Sequence, residues 1–259
     1  MTTVTGLNVY PIKSGSGTAL SSAEVTPLGF RHDREFMLID SDGTMLTQRA
    51  HPRMALLDVG YDGRLLTVGD LVHRPVDDGP LIETSVWKDP VTAIDQGEEA
   101  ATWFSAFLDL KCRLVRFTGH RPTGSGGQTA FADGYPVLVI SQESLDDLND
   151  RLAERGEDAL PMNRFRPNLV LSGLGPFGED GVRRIRIGEV ELDVVKPCGR
   201  CVLTTVDQAT GVKGREPLRT LAGYRAQVYE GDRQIMFGQN AVPRTTGTLH
   251  LGESVTVLA

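Results

Sequence analysis

The sequence contains few cysteines and no long apolar segment. Its 259 residues include only Cys112, Cys198 and Cys201, an odd and low number that does not form a disulfide framework and favours a reducing compartment. The longest apolar runs, such as residues 137–140, are too short to span a bilayer. The N-terminus shows neither the charged region nor the apolar region of a signal peptide. We therefore expect a cytoplasmic protein with no membrane partner.

The sequence also lacks an excess of positive charge. It has 27 lysines and arginines against 34 aspartates and glutamates, a net charge of −7, so nothing global attracts a nucleic-acid polymer or an anionic membrane. Hydrophobic content of 40% and charged content of 24% are ordinary for a globular protein. Basic residues that cluster in such a chain are therefore more informative than they would be in a basic one.

Several well-known catalytic motifs are missing. The sequence has no Walker A loop, no Gly-x-Ser-x-Gly and no His-Glu-x-x-His, which argues against P-loop nucleotide-driven, serine-hydrolase and zincin chemistry. The five histidines show no paired spacing, and no second Cys-x-x-Cys completes a zinc site. Anion binding by isolated basic residues in turns stays open.

Strand patterns dominate what is present. Alternating apolar runs flank Asp-Gly pairs at 42–43 and 62–63, which favour hairpin turns. Two further pairs of runs predict hairpins over 184–194 and 247–258. Helical spacing predicts only short helices, over residues 98–108, 141–155 and 216–223. The expected fold is mainly β with a few short helices (α+β), barrel-like rather than doubly wound.

A Gly/Ser/Thr-rich stretch divides the chain near its middle. Residues 118–129 read TGHRPTGSGGQT, a composition typical of a linker or a mobile loop. We therefore predict two β-rich domains, over residues 1–120 and 121–259.

The Cys-x-x-Cys formed by Cys198 and Cys201 carries the most chemistry. It lies between two β-prone segments, which predicts thiols on an exposed turn that could bind a soft metal or do redox chemistry. Arg200, beside Cys201, is expected to favour its thiolate. A thioredoxin-like pair would need a helix after the motif, whereas residues 202–206 predict a strand.

Isolated polar residues in other turns form a candidate anion site. Lys13 and Ser14 follow a Pro-containing strand end, where an ammonium and a hydroxyl can hold a phosphate. Arg34 lies in a second turn. Arg166 precedes a proline, which predicts an extended backbone, and Asn168 follows two residues later on the same face. Each alone is more often a solvated surface residue, so the set matters only if the fold gathers it around one thiolate.

Six ordered segments resemble the MOSC superfamily, in the two-part form that includes the amidoxime-reducing component and its bacterial relatives. They are VYPIKS at 9–14, DREFMLI at 33–39, TQR at 47–49, FRPNLV at 165–170, CGRCVLTTVD at 198–207 and FGQN at 237–240. The resemblance implies an N-terminal MOSC-associated β-barrel domain over residues 1–120. It also implies a C-terminal MOSC β-barrel domain, carrying Cys201, over residues 121–259.

The resemblance implies a molybdenum–molybdopterin cofactor with Cys201 as the protein ligand of the metal. Further cofactor contacts are implied at Lys13, Ser14, Arg34, Gly134, Tyr135, Arg166, Asn168, Gly199, Arg200 and Asn240. Eukaryotic relatives have Thr-Ser where this chain has Gly134-Tyr135, and Tyr at Asn240. Cys198 is not counted as a ligand and is expected to be a small buried residue. Three cysteines are too few for an iron–sulfur cluster in this chain.

The implied activity is reduction of N-hydroxylated compounds, namely amidoximes, hydroxylamines and N-hydroxylated bases. Electrons are expected from a separate ferredoxin- or cytochrome-type donor protein with its reductase. Asp133, just before Gly134, is a candidate proton donor, and a surface carboxylate is the alternative reading. The alternative function is a carrier of the molybdenum cofactor or of sulfur, without its own turnover. A third is a β-barrel interaction module without metal.

Overall fold

Short apolar stretches separated by Gly and Asp turns build a fold of many brief strands. The computed structural model describes residues 1–258, so residue 259 of the predicted second domain lies outside the described residues. The strands are β1 (Thr3–Val9), β2 (Thr18–Ala19), β3 (Ser22–Thr26), β4 (Gly29–Phe30), β5 (Phe36–Asp40), β6 (Val59–Tyr61), β7 (Leu66–Val68), β8 (Leu71–His73), β9 (Leu81–Val86), β10 (Asp89–Asp95), β11 (Cys112–Phe117), β12 (Val137–Ser141), β13 (Leu169–Ser172), β14 (Arg184–Ile187), β15 (Val190–Arg200), β16 (Ala226–Tyr229), β17 (Asp232–Pro243), β18 (Gly247–His250) and β19 (Val255–Leu258).

Helices are few, and the prediction of a mainly β fold with short helices is confirmed. The helices are α1 (Glu98–Leu108), α2 (Gln142–Ala153) and α3 (Leu218–Leu221), with 3-10 helices at Pro52–Leu56, Met162–Arg164, Gly178–Gly181 and Val202–Thr205. None of the helices within residues 1–258 has the length and apolar character needed to cross a bilayer.

The largest sheet runs in the order β19-β14-β15-β17-β12-β13-β1-β2, with β16 added to β17. Its central strand β12 is buried on both faces. Val137 and Val139 join one apolar core, while Leu138 and Ile140 join a second core against the leucines of α2. Because successive side chains of a strand point to opposite faces, this one strand connects both cores. Truncating a buried leucine in either core would cost roughly 2–5 kcal/mol.

Two long strands of this sheet, β15 and β17, carry irregular pairing near one end. Their register shifts between Val194 and Lys196 and again between Pro197 and Gly199. Such bulges bend a strand and re-aim its side chains, and they are common beside functional sites. The second irregularity lies directly within the segment that carries Cys198.

A second, four-stranded sheet in the order β5-β11-β10-β9 packs beneath α1. Phe36 and Leu38 of β5 share one core with Phe104 of α1, while Met37 and Ile39 face another core with Val115. The start of the chain also pairs with its second half, because β1 is antiparallel to β13 and β3 is antiparallel to β18. The predicted domain boundary at residue 120 stays a prediction.

Local predictions succeeded where the pattern was complete within one segment. Helix α1 has the predicted bounds, and the hairpin over 184–194 is confirmed by pairing of β14 with β15. The hairpin predicted over 247–258 is wrong, because β18 pairs with β3 and β19 pairs with β14. Alternation marks a strand, but the free edges of neighbouring strands decide its partner. The strand predicted over 202–206 is also wrong, since a 3-10 helix begins at Val202.

Candidate functional site

One cavity of about 260 Å³ collects every residue predicted for the site. The members are Lys13, Ser14, Arg34, Asp133, Gly134, Tyr135, Arg166, Asn168, Gly199, Arg200, Cys201 and Asn240. They come from turns and strands spread between residues 13 and 240 of the sequence, and the fold brings them together. Their chemical roles stay predictions.

Lys13 and Ser14 lie in a tight turn after β1. Hydrogen bonding of Lys13 N to Phe36 O fixes this turn beside β5, and Gln48 Nε2 donates to Ser14 O over 2.8 Å. The ammonium of Lys13 is buried and donates to Phe131 O over 2.8 Å and to the Asp133 carboxylate. Burial lowers the pKa of Lys13, and the charge of Asp133 opposes that shift without reversing it.

Arg34 and Arg166 are held together by the ring of Tyr10. Their guanidinium carbons lie 4.3 Å and 4.2 Å from the ring centroid, a cation–π arrangement that aligns two like charges. Arg34 also pairs with Asp33 over 2.5 Å. Burial raises the pKa of Tyr10 to about 12, so its ring stays neutral. The hydroxyl donates to Pro167 O over 3.1 Å, which fixes the Tyr10 ring beside the segment that carries Arg166.

The side chain of Asn168 hydrogen-bonds three other segments of the chain rather than projecting free into the cavity. Its Oδ1 accepts from Arg34 Nη1 and from Leu138 N, both over 3.2 Å, and its Nδ2 donates to Asn8 O over 3.2 Å. The predicted extended backbone at Arg166 is wrong, because its φ is 58°. The 3-10 helix Met162–Arg164 ends here with Arg166 N bonded to Asn163 O, and this turn imposes the left-handed conformation.

Three cavity residues share that unusual backbone. Ser14, Arg34 and Arg166 have φ values of 64°, 48° and 58°, in the left-handed region that side chains other than glycine rarely adopt. Each such residue costs of order 1 kcal/mol and persists only where the surrounding structure enforces it. Strain of this kind clusters at binding sites, which supports a functional reading of the cavity.

Each thiol of the Cys-x-x-Cys contacts a different arginine, and Arg200 contacts Cys198 rather than Cys201. Cys198 and Arg200 both belong to β15, where residues two apart share a face. Arg200 Nη1 therefore donates to Cys198 Sγ over 3.0 Å, and its Nη2 donates to Phe165 O over 2.7 Å. Cys201 comes after the strand, and its Sγ accepts from Arg49 Nε over 3.2 Å. The expectation that Arg200 attends Cys201 is wrong, and Cys198 is half-buried in the cavity wall rather than buried.

Arg49 is the main site residue that was missed by sequence reasoning. It lies in the TQR segment, 152 residues before Cys201, and also donates to Asp133 Oδ2 over 3.1 Å. Its guanidinium stacks 4.3 Å from the ring centroid of Trp87, and Lys213 Nζ donates to its carbonyl over 2.6 Å. A basic residue inside a matching segment was the available signal. Only the fold reveals which sulfur it reaches.

Asp133 links the cations of this wall. It accepts hydrogen bonds from Lys13, from Arg49 and from Trp87 Nε1, the last over 3.2 Å. Partial desolvation in the cavity wall would raise the pKa of Asp133, but the charges of Lys13 and Arg49 outweigh it and hold that pKa well below its usual range. Asp133 is therefore a charged acceptor at neutral pH. Its role as a proton donor stays a prediction, and the low pKa counts against it.

The loop over residues 118–129 fixes the backbone of the segment that carries Asp133. The side chain of Arg121 is only 4% exposed. It donates to the carbonyls of Ala130, Ala132 and Asp133 over 3.0, 2.6 and 2.9 Å. A bridge between Pro122 and Gln128 closes the loop. This predicted linker therefore positions one wall of the cavity.

The remaining predicted residues, Gly134, Tyr135, Gly199 and Asn240, line the cavity without adding charge to it. A Cβ added at Gly134 would meet nothing within 4 Å, so this position is open to the cavity. A Cβ at Gly199 would lie 2.4 Å from Gln234 Oε1, so the strand approaches that side chain closely. Tyr135 Oη bonds Ser125 Oγ over 3.1 Å, and Asn240 Nδ2 donates to Pro197 O over 3.3 Å.

The cavity has a strong excess of positive charge. Its cationic lining residues are Lys13, Arg34, Arg49, Arg166, Lys196 and Arg200, against the single carboxylate of Asp133 among the residues that line it. Three buried guanidinium nitrogens, Arg49 Nη1, Arg166 Nη2 and Arg200 Nε, have no hydrogen-bond partner within the part of the chain that the structure describes. Burial lowers the pKa of Arg166 to about 10, and Arg34 adds to that shift. Orphaned donors of this kind fit an anionic ligand with several acceptor atoms.

Comparison with known proteins agrees with the sequence segments. Residues 1–111 match the family model of the MOSC N-terminal beta barrel domain, and residues 126–256 match that of the MOSC domain. The chain is 38% identical to mitochondrial amidoxime-reducing component 1 of Mus musculus, covering 99% of this chain and 82% of that protein. It is 34% identical to mitochondrial amidoxime reducing component 2 of Homo sapiens, covering 98% and 82%. The solved structure of the YuaD protein from Bacillus subtilis aligns with a TM-score of 0.47 at 10% identity, over 98% of this chain and 94% of that one.

Proposed function

Because the chain belongs to the MOSC family and carries both its N-terminal β-barrel domain and its MOSC domain, we propose that it is an oxidoreductase that reduces N-hydroxylated compounds at a molybdenum–molybdopterin cofactor. The names of its relatives as amidoxime-reducing components support this substrate class. The observation that carries the proposal is the convergence of the predicted residues on one cationic cavity that contains a partnered thiol, Cys201.

The residues present fit that cofactor. A pterin phosphate is an anion with several acceptor oxygens, and the orphaned nitrogens of Arg166 and Arg200 are donors of the matching kind. Lys13 and the hydroxyl of Ser14 line the same cavity and would hold the same group. Cys201 supplies a soft sulfur ligand, which suits molybdenum better than the surrounding carboxylate. When bound, the cofactor supplies a metal that accepts oxygen and delivers two electrons.

The protein's own part is to orient groups and to fix charge. Arg49 Nε donates a hydrogen bond to Cys201 Sγ over 3.2 Å and so fixes the orientation of this sulfur in the cavity. Asp133 forms ion pairs with both Arg49 and Lys13, and its negative charge offsets the repulsion between these two cations. The Tyr10 ring contacts both Arg34 and Arg166 and keeps their guanidinium groups in place. Such contacts around a metal ligand typically change affinity or activity 10- to 100-fold when removed.

Electrons must reach the site from outside this chain. An iron–sulfur cluster needs four cysteine or histidine ligands, and the three cysteines here are separate, with Cys112 buried in β11. We propose a separate donor protein of the ferredoxin or cytochrome type. The free thiols fit a reducing compartment such as the cytoplasm.

The decisive experiment combines metal content with turnover. The full chain is purified from a host that makes molybdopterin, its molybdenum is measured, and benzamidoxime reduction is assayed with an artificial electron donor. We expect bound molybdenum and turnover in the parent protein and neither in Cys201→Ala. Cys112→Ala, which removes a buried thiol remote from the cavity, is the matched control and should keep both.

Each other outcome has a defined meaning. Molybdenum bound without turnover would favour the carrier of cofactor or sulfur. Absence of molybdenum from the parent protein, or full activity in Cys201→Ala, would overturn the proposed function.

A further inference from the structure

Trp87 occupies a position where a large aromatic side chain is unfavourable. It is the first residue of the two-residue turn between β9 and β10, which pair from Val86 and Asp89. Its φ is 58°, a conformation that hairpin turns normally give to glycine, asparagine or aspartate. For a bulky residue such a backbone is an outlier that calls for a reason.

The ring is fixed in place at two points. Its Nε1 donates to Asp133 Oδ1 over 3.2 Å, and its face covers the Arg49 guanidinium at 4.3 Å. Both partners line the cavity, and Arg49 in turn contacts Cys201 Sγ. Trp87 nevertheless stays 47% exposed. One large aromatic surface is therefore held rigidly beside the cavity, with part of it open to solvent.

The rest of the cavity offers little to an uncharged ring. Its walls carry the cations that fit the anionic cofactor, whereas an amidoxime is neutral at pH 7. Phe165 is fully buried and stacks on Phe237 with centroids 4.2 Å apart. Tyr135 is the other aromatic lining residue, and its hydroxyl is tied to Ser125. Trp87 is the exposed aromatic side chain that is already oriented by contacts with the site.

We propose that Trp87 is a substrate-positioning residue whose open surface stacks on the planar aromatic part of an N-hydroxylated compound. This inference rests on the proposed function and narrows its substrates to planar aromatic amidoximes and N-hydroxylated bases over small hydroxylamines without a ring. Stacking of a base on an aromatic side chain typically changes affinity by about tenfold or more. A surface held in advance by Asp133 and Arg49 loses little freedom on binding.

The kinetic test compares two substrates in the molybdenum-loaded full chain. Trp87→Ala should raise KM for benzamidoxime about tenfold, with kcat and molybdenum content unchanged, and leave KM for hydroxylamine within about twofold. Trp87→Phe should restore much of the benzamidoxime KM. Leu81→Ala, at a residue that is 67% exposed on the same hairpin, is the control and should change neither substrate.

Equal effects on both substrates, or none on benzamidoxime, would overturn the inference. So would Tyr135→Ala giving the ring-specific loss while Trp87→Ala does not.

A binding test separates this inference from the proposed function. The chain has two tryptophans, and Trp103 is bonded to Asp70 and stacked on Phe107 away from the cavity residues. In Trp103→Phe, the remaining fluorescence reports Trp87 alone. Benzamide, which is planar and not reduced, should quench it saturably, whereas acetamide should not. Quenching without any reductase activity would overturn the proposed function and leave Trp87 as an aromatic-binding surface without that substrate. Absence of quenching would overturn the stacking site and leave the proposed function standing.

Discussion

The two thiols of the Cys-x-x-Cys lie three residues apart, yet they belong to different parts of the structure. Each has an arginine close to its sulfur, at 3.0 Å for Arg200 and Cys198 and at 3.2 Å for Arg49 and Cys201. The first pair is local to one strand. The second joins residues 152 positions apart and includes the carboxylate of Asp133. The contact between Arg200 and Cys198 stays within one strand. The contact between Arg49 and Cys201 joins the two halves of the chain at one sulfur.

The largest expected difference comes from removing each sulfur in turn. Cys201→Ser should abolish molybdenum binding, because it removes the proposed ligand. Cys198→Ser should keep most of the metal and cost about 1 kcal/mol of unfolding free energy, as a packing change. Metal analysis and urea unfolding measure the two effects. If both variants lose molybdenum equally, the two thiols are functionally alike and the comparison fails.

Removing each arginine should affect only its own sulfur. Each guanidinium donates a hydrogen bond to its own sulfur and covers one side of it. Arg49→Met should therefore change the rate of iodoacetamide alkylation of Cys201 and leave that of Cys198 unchanged, and Arg200→Met should do the reverse. Peptide mass spectrometry on the metal-free protein resolves the two sites, with buried Cys112 as the unreactive reference. A changed rate at Cys201 in Arg200→Met alone would reverse the assignment.

The smallest expected effect concerns Asp133, whose carboxylate contacts Arg49 of the Arg49–Cys201 pair and has no counterpart at the Arg200–Cys198 pair within the described residues. Asp133 has a lowered pKa in the folded state, so its contribution is present above the ordinary pKa of an aspartate, near ~3.9, and is lost as pH falls below that value. Asp133→Asn should cost about 1 kcal/mol or less at pH 7, because the side chain is half exposed and solvent screens it. The difference from the parent should shrink towards pH 3.

Urea unfolding at pH 7, 5 and 3 measures this pH dependence. Asp158→Asn, at an exposed loop residue, is the control for a general loss of negative charge. A difference between Asp133→Asn and the parent that is the same at pH 3 and pH 7 would mean that Asp133 is not stabilised as a charged group.

Much of the fold was readable because its signals are local. The apolar spacing around Phe104 predicts α1 without reference to any other segment. The failure over 247–258 has the opposite cause, since the partners of β18 and β19 lie in distant parts of the sequence. The 3-10 helix after Cys201 was missed because Val202 and Leu203 favour strands, and the surrounding packing overrides that preference.

The site could be predicted as a set of residues but not as a network. The segments resembling the family contain most of the predicted cavity residues, although Asp133, Gly134 and Tyr135 lie outside them. The contacts depend on side chains that cross between distant parts of the chain. Arg49 is the example, because its sequence position gives no indication of Cys201. The contact between Arg200 and Cys198 could have been predicted, because residues two apart on a strand point to the same face.

The pairing of β1 with β13 also sets an order in time. Thr5 and Val170 are 165 residues apart and lie on paired strands, so a ribosome adding 5 to 20 residues per second needs roughly 8 to 33 s between them. During that interval the part of β1 that pairs with β13 is without its partner strand. The end of β1, at Asn8 and Val9, can already pair with β2. Lys13 is therefore among the first residues of the cavity to be made. The cavity is complete only late in synthesis, after Cys201 has been added to the chain.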